Sequence, residues 1–210
     1  MKRMTLSSCL TEEDHDLVMD TSVVINVLAT GHASSILSAL AIPIIVTENV
    51  VQELDRGQSA GYPQGRQLRA LIADGVVRVE GLDDSELELF MELVSGRTER
   101  TLGDGEAATL AMSYSRGTSA AVDEKRATQI ARSRFAGVRL VTTVDILAHP
   151  GVRTLLGRDT LSEATFLALT EARMQVRDHQ FDWIAELIGP AKVEACRSLA
   201  RHARRRQMTT

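Results

Sequence analysis

Short apolar runs that do not alternate with polar residues recur along this chain, each followed by a helical pattern. That rhythm is its tightest constraint on fold. "LVMD" ends at Asp20 and leads into "SVVINVLATG", an apolar helix closed by Gly31. "HASSILSALAI" reads as a second helix, "PIIVT" after Pro43 as a β-branched strand, and "ENVVQELDRG" as a helix stopped at Gly57. "QSAGYPQG" has loop composition, "RQLRALIADG" is helical, and "VVRVEGL" is a strand. Next come the helix "DSELELFMELVSG" with Asp84 or Ser85 as its cap and "GEAATLAMSYSRG" ended by Gly117. "SAAVD", "EKRATQIARSRFAG" and "VRLVTT" complete the series as strand, helix and strand. Strands apolar on both sides are buried on both faces, which predicts an α/β fold: three α/β/α layers around a central parallel sheet.

Beyond about residue 145 no strand pattern remains. "TLSEATFLALTEARM", "FDWIAELIG" and "AKVEACRSLARHARRR" read as helices broken at Gly189–Pro190. The expected organisation is a polar lead-in over 1–16, an α/β domain over 17–148 and a helical C-terminal extension over 149–210.

The 210 residues are 44% hydrophobic and 25% charged, with a net charge of −4, an ordinary balance for a globular chain and not that of a general polyanion binder. Aromatics make up 3%, so the core is aliphatic and binding by base stacking on aromatic platforms is disfavoured. Positive charge gathers at the end, in Arg197, Arg201, Arg204, Arg205 and Arg206, a run that suits nucleic-acid contact, partner contact or a solvated tail. Cys9 and Cys196 lie far apart without metal-binding spacing, and no apolar run approaches a membrane span. The N-terminal residues lack the apolar core of a signal peptide, so a cytoplasmic location is expected.

In an open parallel sheet ligands bind outside the carboxyl ends of the strands. Asp20 and Asp123 each end an apolar strand there. Each can equally be the N-cap of the helix that follows, worth about 1 kcal/mol. Glu53 belongs either to a solvated helix face with Glu48 and Asp55 or to the sheet edge, which its long side chain can reach. In "TLGDGEAATLA", Asp104 can cap the helix while Glu106 sits in its first turn, where an acid gains about 0.3–1 kcal/mol from the helix dipole. Capping explains each acid singly. It does not explain four segments that each bring an acid to one rim, where like charges repel unless a cation neutralises them. Carboxylate ligands suit Mg2+ or Mn2+.

"LVMDTSVVINVL", "VTENVVQELDRG", "TLGDGEAATLAMS" and "AAVDEKRATQIAR", in that order, resemble the PIN-domain ribonucleases, a family that includes VapC-like toxins of toxin–antitoxin pairs. The resemblance spans roughly residues 17–145 and lies in the combination of motifs. It implies a catalytic quartet of Asp20, Glu53, Glu106 and Asp123, with Asp20, Glu106 and Asp123 on the metal. Asp104, Glu124, Thr21, Ser22 and Thr142 are supplementary candidates, and Arg126 is a candidate contact for nucleic acid. The implied activity is Mg2+- or Mn2+-dependent hydrolysis of an RNA substrate, with a small antitoxin protein and a second copy of the chain (a homodimer) as expected partners. The alternative is a catalytically silent PIN-like module that binds RNA or protein. A phosphotransferase or receiver domain is disfavoured, because "DTSVV" lacks the second acid of a D-x-D motif.

Overall fold

The computed structural model describes residues 15–59, 61–95 and 101–196, together with Leu6, Ser8, Leu10, Leu199 and Ala200. The Arg-rich run at 201–206 and Arg197 lie outside the described residues. Five strands form one parallel sheet: β1 (Leu17–Met19), β2 (Ile44–Thr47), β3 (Arg78–Glu80), β4 (Ser119–Ala121) and β5 (Leu140–Val141), in the order β3-β2-β1-β4-β5. Val18 is paired with Ile45 on one side and Ala120 on the other.

Both faces of the central strands are buried, as their unbroken apolar runs require. Alternate side chains serve opposite layers. Leu17, Met19, Ile44, Val46, Ala121 and Val141 enter the larger core, while Ala120 and Val122 enter the smaller core on the other face and Val18 and Ile45 pack with Met112. β3 departs from the pattern. It is an edge strand, and Arg78 and Val79 are exposed, consistent with a charged residue at each end of "RVE".

The larger core is covered by α1 (Thr21–Ala29), α2 (Ala33–Ser38), α3 (Glu48–Ser59), α4 (Gln64–Ala73), α8 (Thr143–Ala148), α9 (Pro150–Thr170) and α10 (Phe181–Ile188). The smaller core is covered by α5 (Asp84–Val94), α6 (Asp104–Arg116) and α7 (Lys125–Arg134). The short α11 (Pro190–Ala195) follows α10 after Gly189, whose φ is 82°. Of the helices expected after the α/β region, α9 and α10 are present and packed against the sheet, while of "AKVEACRSLARHARRR" only the start, in α11, is a described helix and most of the rest lies outside the described residues. Leu161, Ala168, Phe181, Trp183 and Ile184 share one core with Leu17 and Met19.

Several local expectations shift. α3 runs past Gly57 to Ser59, because Gly57 does not take up the left-handed backbone that ends a helix. Gly117, with φ at 65°, does end α6. The cap of α5 is Asp83, one residue before the expected pair. Its Oδ1 accepts from the Glu86 amide at 2.9 Å, and Glu86 accepts in return from the Asp83 amide at 3.0 Å. Placement of Glu at the third helical position fixes that register. Glu86 is fully buried and is met by the Arg116 guanidinium, which also pairs with Glu80. α9 is interrupted at Gly157, whose φ of 67° and ψ of 172° are not helical.

The chain leaves β1 for β2 and β3 on one side, then crosses to β4 and β5 on the other. β1 and β4 thus flank the point where the winding reverses, and a crevice opens beyond their carboxyl ends.

Candidate active site

Asp20 and Asp123 stand at that crevice. The Asp20 amide donates to the Ala121 carbonyl at 3.0 Å, which ties the end of β1 to the end of β4. Asp20 also caps α1: its Oδ2 accepts from the Ser22 amide at 3.3 Å and the Ser22 hydroxyl at 2.7 Å. Both readings of this residue thus describe one carboxyl, buried to 1% exposure. Burial pushes its pKa up to about 6, opposed by the bonds from Ser22 and Thr21 and reinforced by the charge of Glu53.

Asp123 is not a cap. Glu124 occupies the N-cap position of α7 and makes no side-chain capping bond. Asp123 Oδ2 accepts from Asn26 Nδ2 at 2.6 Å and from the Thr143 hydroxyl, while Oδ1 accepts from the Thr143 amide at 2.9 Å. Burial raises its pKa, and the bonds from Thr143 and Asn26 and the nearby Arg177 charge pull it back.

Glu53 reaches the sheet edge from α3. Its Oε2 accepts from the Thr21 hydroxyl and its Oε1 from the Gly105 amide at 3.0 Å. Gly105 is packed too closely for any larger residue: a Cβ there would lie 2.5 Å from Thr21 Oγ1, 2.8 Å from Glu53 Oε2 and 3.3 Å from Asp20 Oδ1. The glycine in "GDGE" therefore serves close approach within a helix rather than a turn.

Glu106 is the third residue of α6, whose N-cap is Gly103 and not Asp104. Glu106 reaches back to accept from the Gly103 amide at 3.2 Å; glycine has no side chain with which to complete the box. Burial, a hydrogen bond shared with Glu124 and the charges of Asp20 and Glu124 push Glu106 up to about 9.

The structure thus brings Asp20 beside Glu53 and Glu106, and Glu106 beside Glu124. Asp123 and Glu124 line a cavity of about 180 Å3 with Ser22, Ile25 and Asn26, closed by Ala172, Arg173 and Gln175 from the turn after α9. The remaining candidates stand apart. Asp104 is half-exposed and faces Arg56 at 4.0 Å. Arg126 is partly buried in the first turn of α7. Thr142 caps α8, bonding Asp145 Oδ2 at 2.6 Å and accepting from Gln180 Nε2 at 2.8 Å; its neighbour Thr143 is the threonine that holds Asp123. Nothing in "TTVD" distinguishes the two threonines before folding.

Arg177 and Gln180 carried no sequence signal either. The Arg177 guanidinium donates to the Val122 carbonyl at 3.3 Å and Thr128 Oγ1 at 2.8 Å, directly behind Asp123.

The donor set is carboxylate oxygen, the chemistry a hard dication requires. Among the described residues, however, no three acids, histidines or cysteines gather closely enough to form a metal cage. Mg2+ commonly keeps its waters and takes one or two carboxylates plus substrate phosphates, and the Asp20–Glu106 pair fits that mode.

Fold and site together define a doubly wound α/β protein with buried acids at its switch point. A family model described as a PIN domain matches residues 16–186, and the chain belongs to that PIN-domain family. The match extends past residue 148 into α9 and α10. Comparisons with curated proteins and with solved structures give no match. No helix among the described residues is long and apolar enough to cross a membrane.

Proposed function

We propose that the chain is a divalent-cation-dependent endoribonuclease acting at the crevice beyond β1 and β4. One observation carries this reading. Carboxyls from separate segments are packed together at a cost to their own ionisation, most clearly at Glu106, whose pKa is pushed up by burial and by Glu124 and Asp20 beside it. A positive ion is the simplest group to relieve that repulsion.

Asp20, Glu106 and Asp123 would hold the ion, with Glu124 beside them. Mg2+ or Mn2+ bound there would supply a Lewis acid to lower the pKa of a water and to neutralise charge on phosphoryl oxygens. Glu53, held by the Thr21 hydroxyl and the Gly105 amide, would accept the proton of the attacking water. In the hydrolysis the water oxygen would bond to phosphorus as the P–O bond of the leaving nucleotide breaks, and the leaving oxygen would take its proton from solvent. Asn26 and Thr143 would keep Asp123 oriented, with the Arg177 charge nearby.

A second reading has a specific observation in its favour. As the side chains stand, no three of these acids form a metal cage among the described residues, which fits a PIN module that binds RNA or protein without cutting. On present geometry that observation weighs toward the silent module; the nuclease needs cation and substrate phosphate to complete the site together. RNA cleavage by the wild type with Mg2+ or Mn2+, against Asp20→Asn and Asp123→Asn, separates them. Equal products from all three proteins would remove the nuclease. Calorimetry that finds no cation binding alongside retained RNA binding would establish the module.

The reading extends to the toxin of a toxin–antitoxin pair, acting as a homodimer. Growth arrest on expression, relieved by a small co-expressed partner, supports the toxin; unaffected growth counts against it. Light scattering at the monomer mass removes the dimer.

A further inference from the structure

The wall of the acidic cavity that comes from the turn after α9 has no place in the four acidic motifs. Ala172, Arg173 and Gln175 face Asp123, Glu124, Ser22 and Asn26 across it, and Arg173 is the cation among the lining residues. Two features set Arg173 apart. Its φ is 58°, a left-handed conformation that glycine or asparagine adopts at least cost where a chain leaves a helix. Its side chain is exposed and makes no ion pair with another described residue, although two acids line the same cavity. The neighbouring Arg177 is differently employed, its guanidinium turned onto the Val122 carbonyl and Thr128.

An arginine kept in a strained position, beside acids it does not pair with, points to a ligand that answers both walls. A phosphate does so. Its oxygens can accept the planar guanidinium fork on one side and face the carboxylates through a dication on the other. The cavity, about 180 Å3, is smaller than the roughly 300–1,000 Å3 of small-molecule sites and suits one backbone phosphate of a longer strand.

We propose that Arg173 binds a backbone phosphate of an RNA strand laid across the acidic crevice, and that the 171–175 turn is the strand-binding wall of the site. This rests on the crevice being the RNA site, as read above, but not on the strand being cut. Arg173 is a positioning residue, and Gln175 beside it offers an amide to the same backbone.

The test is fluorescence anisotropy of a labelled mixed-sequence 12-nucleotide RNA in Mg2+ over a range of salt, with cleavage followed on the same samples. Arg173→Gly suits the left-handed backbone, so its thermal midpoint should hold or rise while affinity falls about tenfold, the loss of one charge-assisted contact. The salt dependence should become shallower by about 0.7 in log–log slope, as for one phosphate on a single strand. Arg173→Lys should recover part of the affinity. Arg78→Ala, at the opposite rim on β3, should bind as the wild type does. Wild-type affinity and slope in Arg173→Gly would overturn the proposal, as would a wild type that binds no RNA, which would favour a protein occupant. Weakened binding in the variant, with no cleavage by any protein, upholds the proposal and removes the nuclease.

Discussion

The Gly105 amide donates to Glu53 Oε1 at 3.0 Å, joining the start of α6 to the middle of α3 across 52 positions of chain. That bond exists because Gly105 has no Cβ. Alanine ordinarily stabilises a helix interior by about 0.5–1 kcal/mol relative to glycine. Here the added methyl would press on Thr21, Glu53 and Asp20. Gly105→Ala is expected to lower stability by about 1–3 kcal/mol, as overpacking does, and to displace Glu53. Chemical denaturation measures the first effect. RNA cleavage, or cation binding by calorimetry, measures the second. An unchanged or raised midpoint would show that the crowded pocket yields freely.

Asp123 depends on Thr143 for two of its three hydrogen bonds. Thr143→Val keeps the shape and the amide bond but removes the hydroxyl donor from a buried carboxylate. A loss of about 1–3 kcal/mol is expected. Thr142→Val strikes the Asp145 and Gln180 bonds instead and leaves the Asp123 contacts in place. Denaturation should show both variants weakened. Cation or RNA binding should suffer in the first alone; equal effects on binding would contradict the division of roles between the two threonines.

Protonation gives the metal-free protein a distinctive pH response. A carboxyl whose pKa is higher in the folded chain than its ordinary value binds its proton more tightly when folded. Stability is then full below the ordinary value and is lost as pH rises toward the folded one. For Asp20 the window runs from 3.8 to about 6, and for Glu106 from 4.5 to about 9. Thermal unfolding in chelator should therefore show a midpoint that falls from about pH 5 to about pH 9. Glu106→Gln should flatten that fall and raise the midpoint at pH 8. A midpoint that climbs over this range would mean the acids are not held as described.

Away from the crevice, Arg116 supports the fully buried Glu86 and pairs with Glu80. Arg116→Ala strands a buried charge. The expected cost is about 3–5 kcal/mol, the usual range for removal of one partner from a buried pair. Arg69→Ala, in a pair with Asp55 whose arginine side chain is 60% exposed, should change little. Urea denaturation of the two variants side by side checks the contrast.

The parallel sheet was legible because its central strands are short, apolar and two-faced, and "LVM", "IIVT" and "SAA" are where strands form. β5 shrinks to two residues because Thr142 ends it by capping α8. α8 itself was hidden in the run "TVDILA", which carries no polar face to mark a helix and is buried throughout. Among the acids, strand ends located Asp20 and Asp123, but composition could not choose between cap and crevice for either. Folding answered differently for each: Asp20 is both, Asp123 only the latter. Contacts that depend on distant chain were not legible at all. Arg173, Arg177 and Gln180 sit in a polar stretch with nothing to connect them to β1 or β4 until α9 and α10 have docked.

That docking has a temporal side. Every acid of the crevice has been synthesised once residue 124 is made, yet the stretch between α9 and α10 that bears Arg173, Arg177 and Gln180 comes some 50 residues later. Leu161, Trp183 and Ile184 must also arrive to cover the face of the sheet that Leu17 and Met19 present. A nascent chain halted before α9 would carry all the acids without the wall opposite them, over a core still open to water. For a protein whose proposed target is RNA, and which is itself made on RNA, the late wall delays a competent site until the helices that follow β5 have been made.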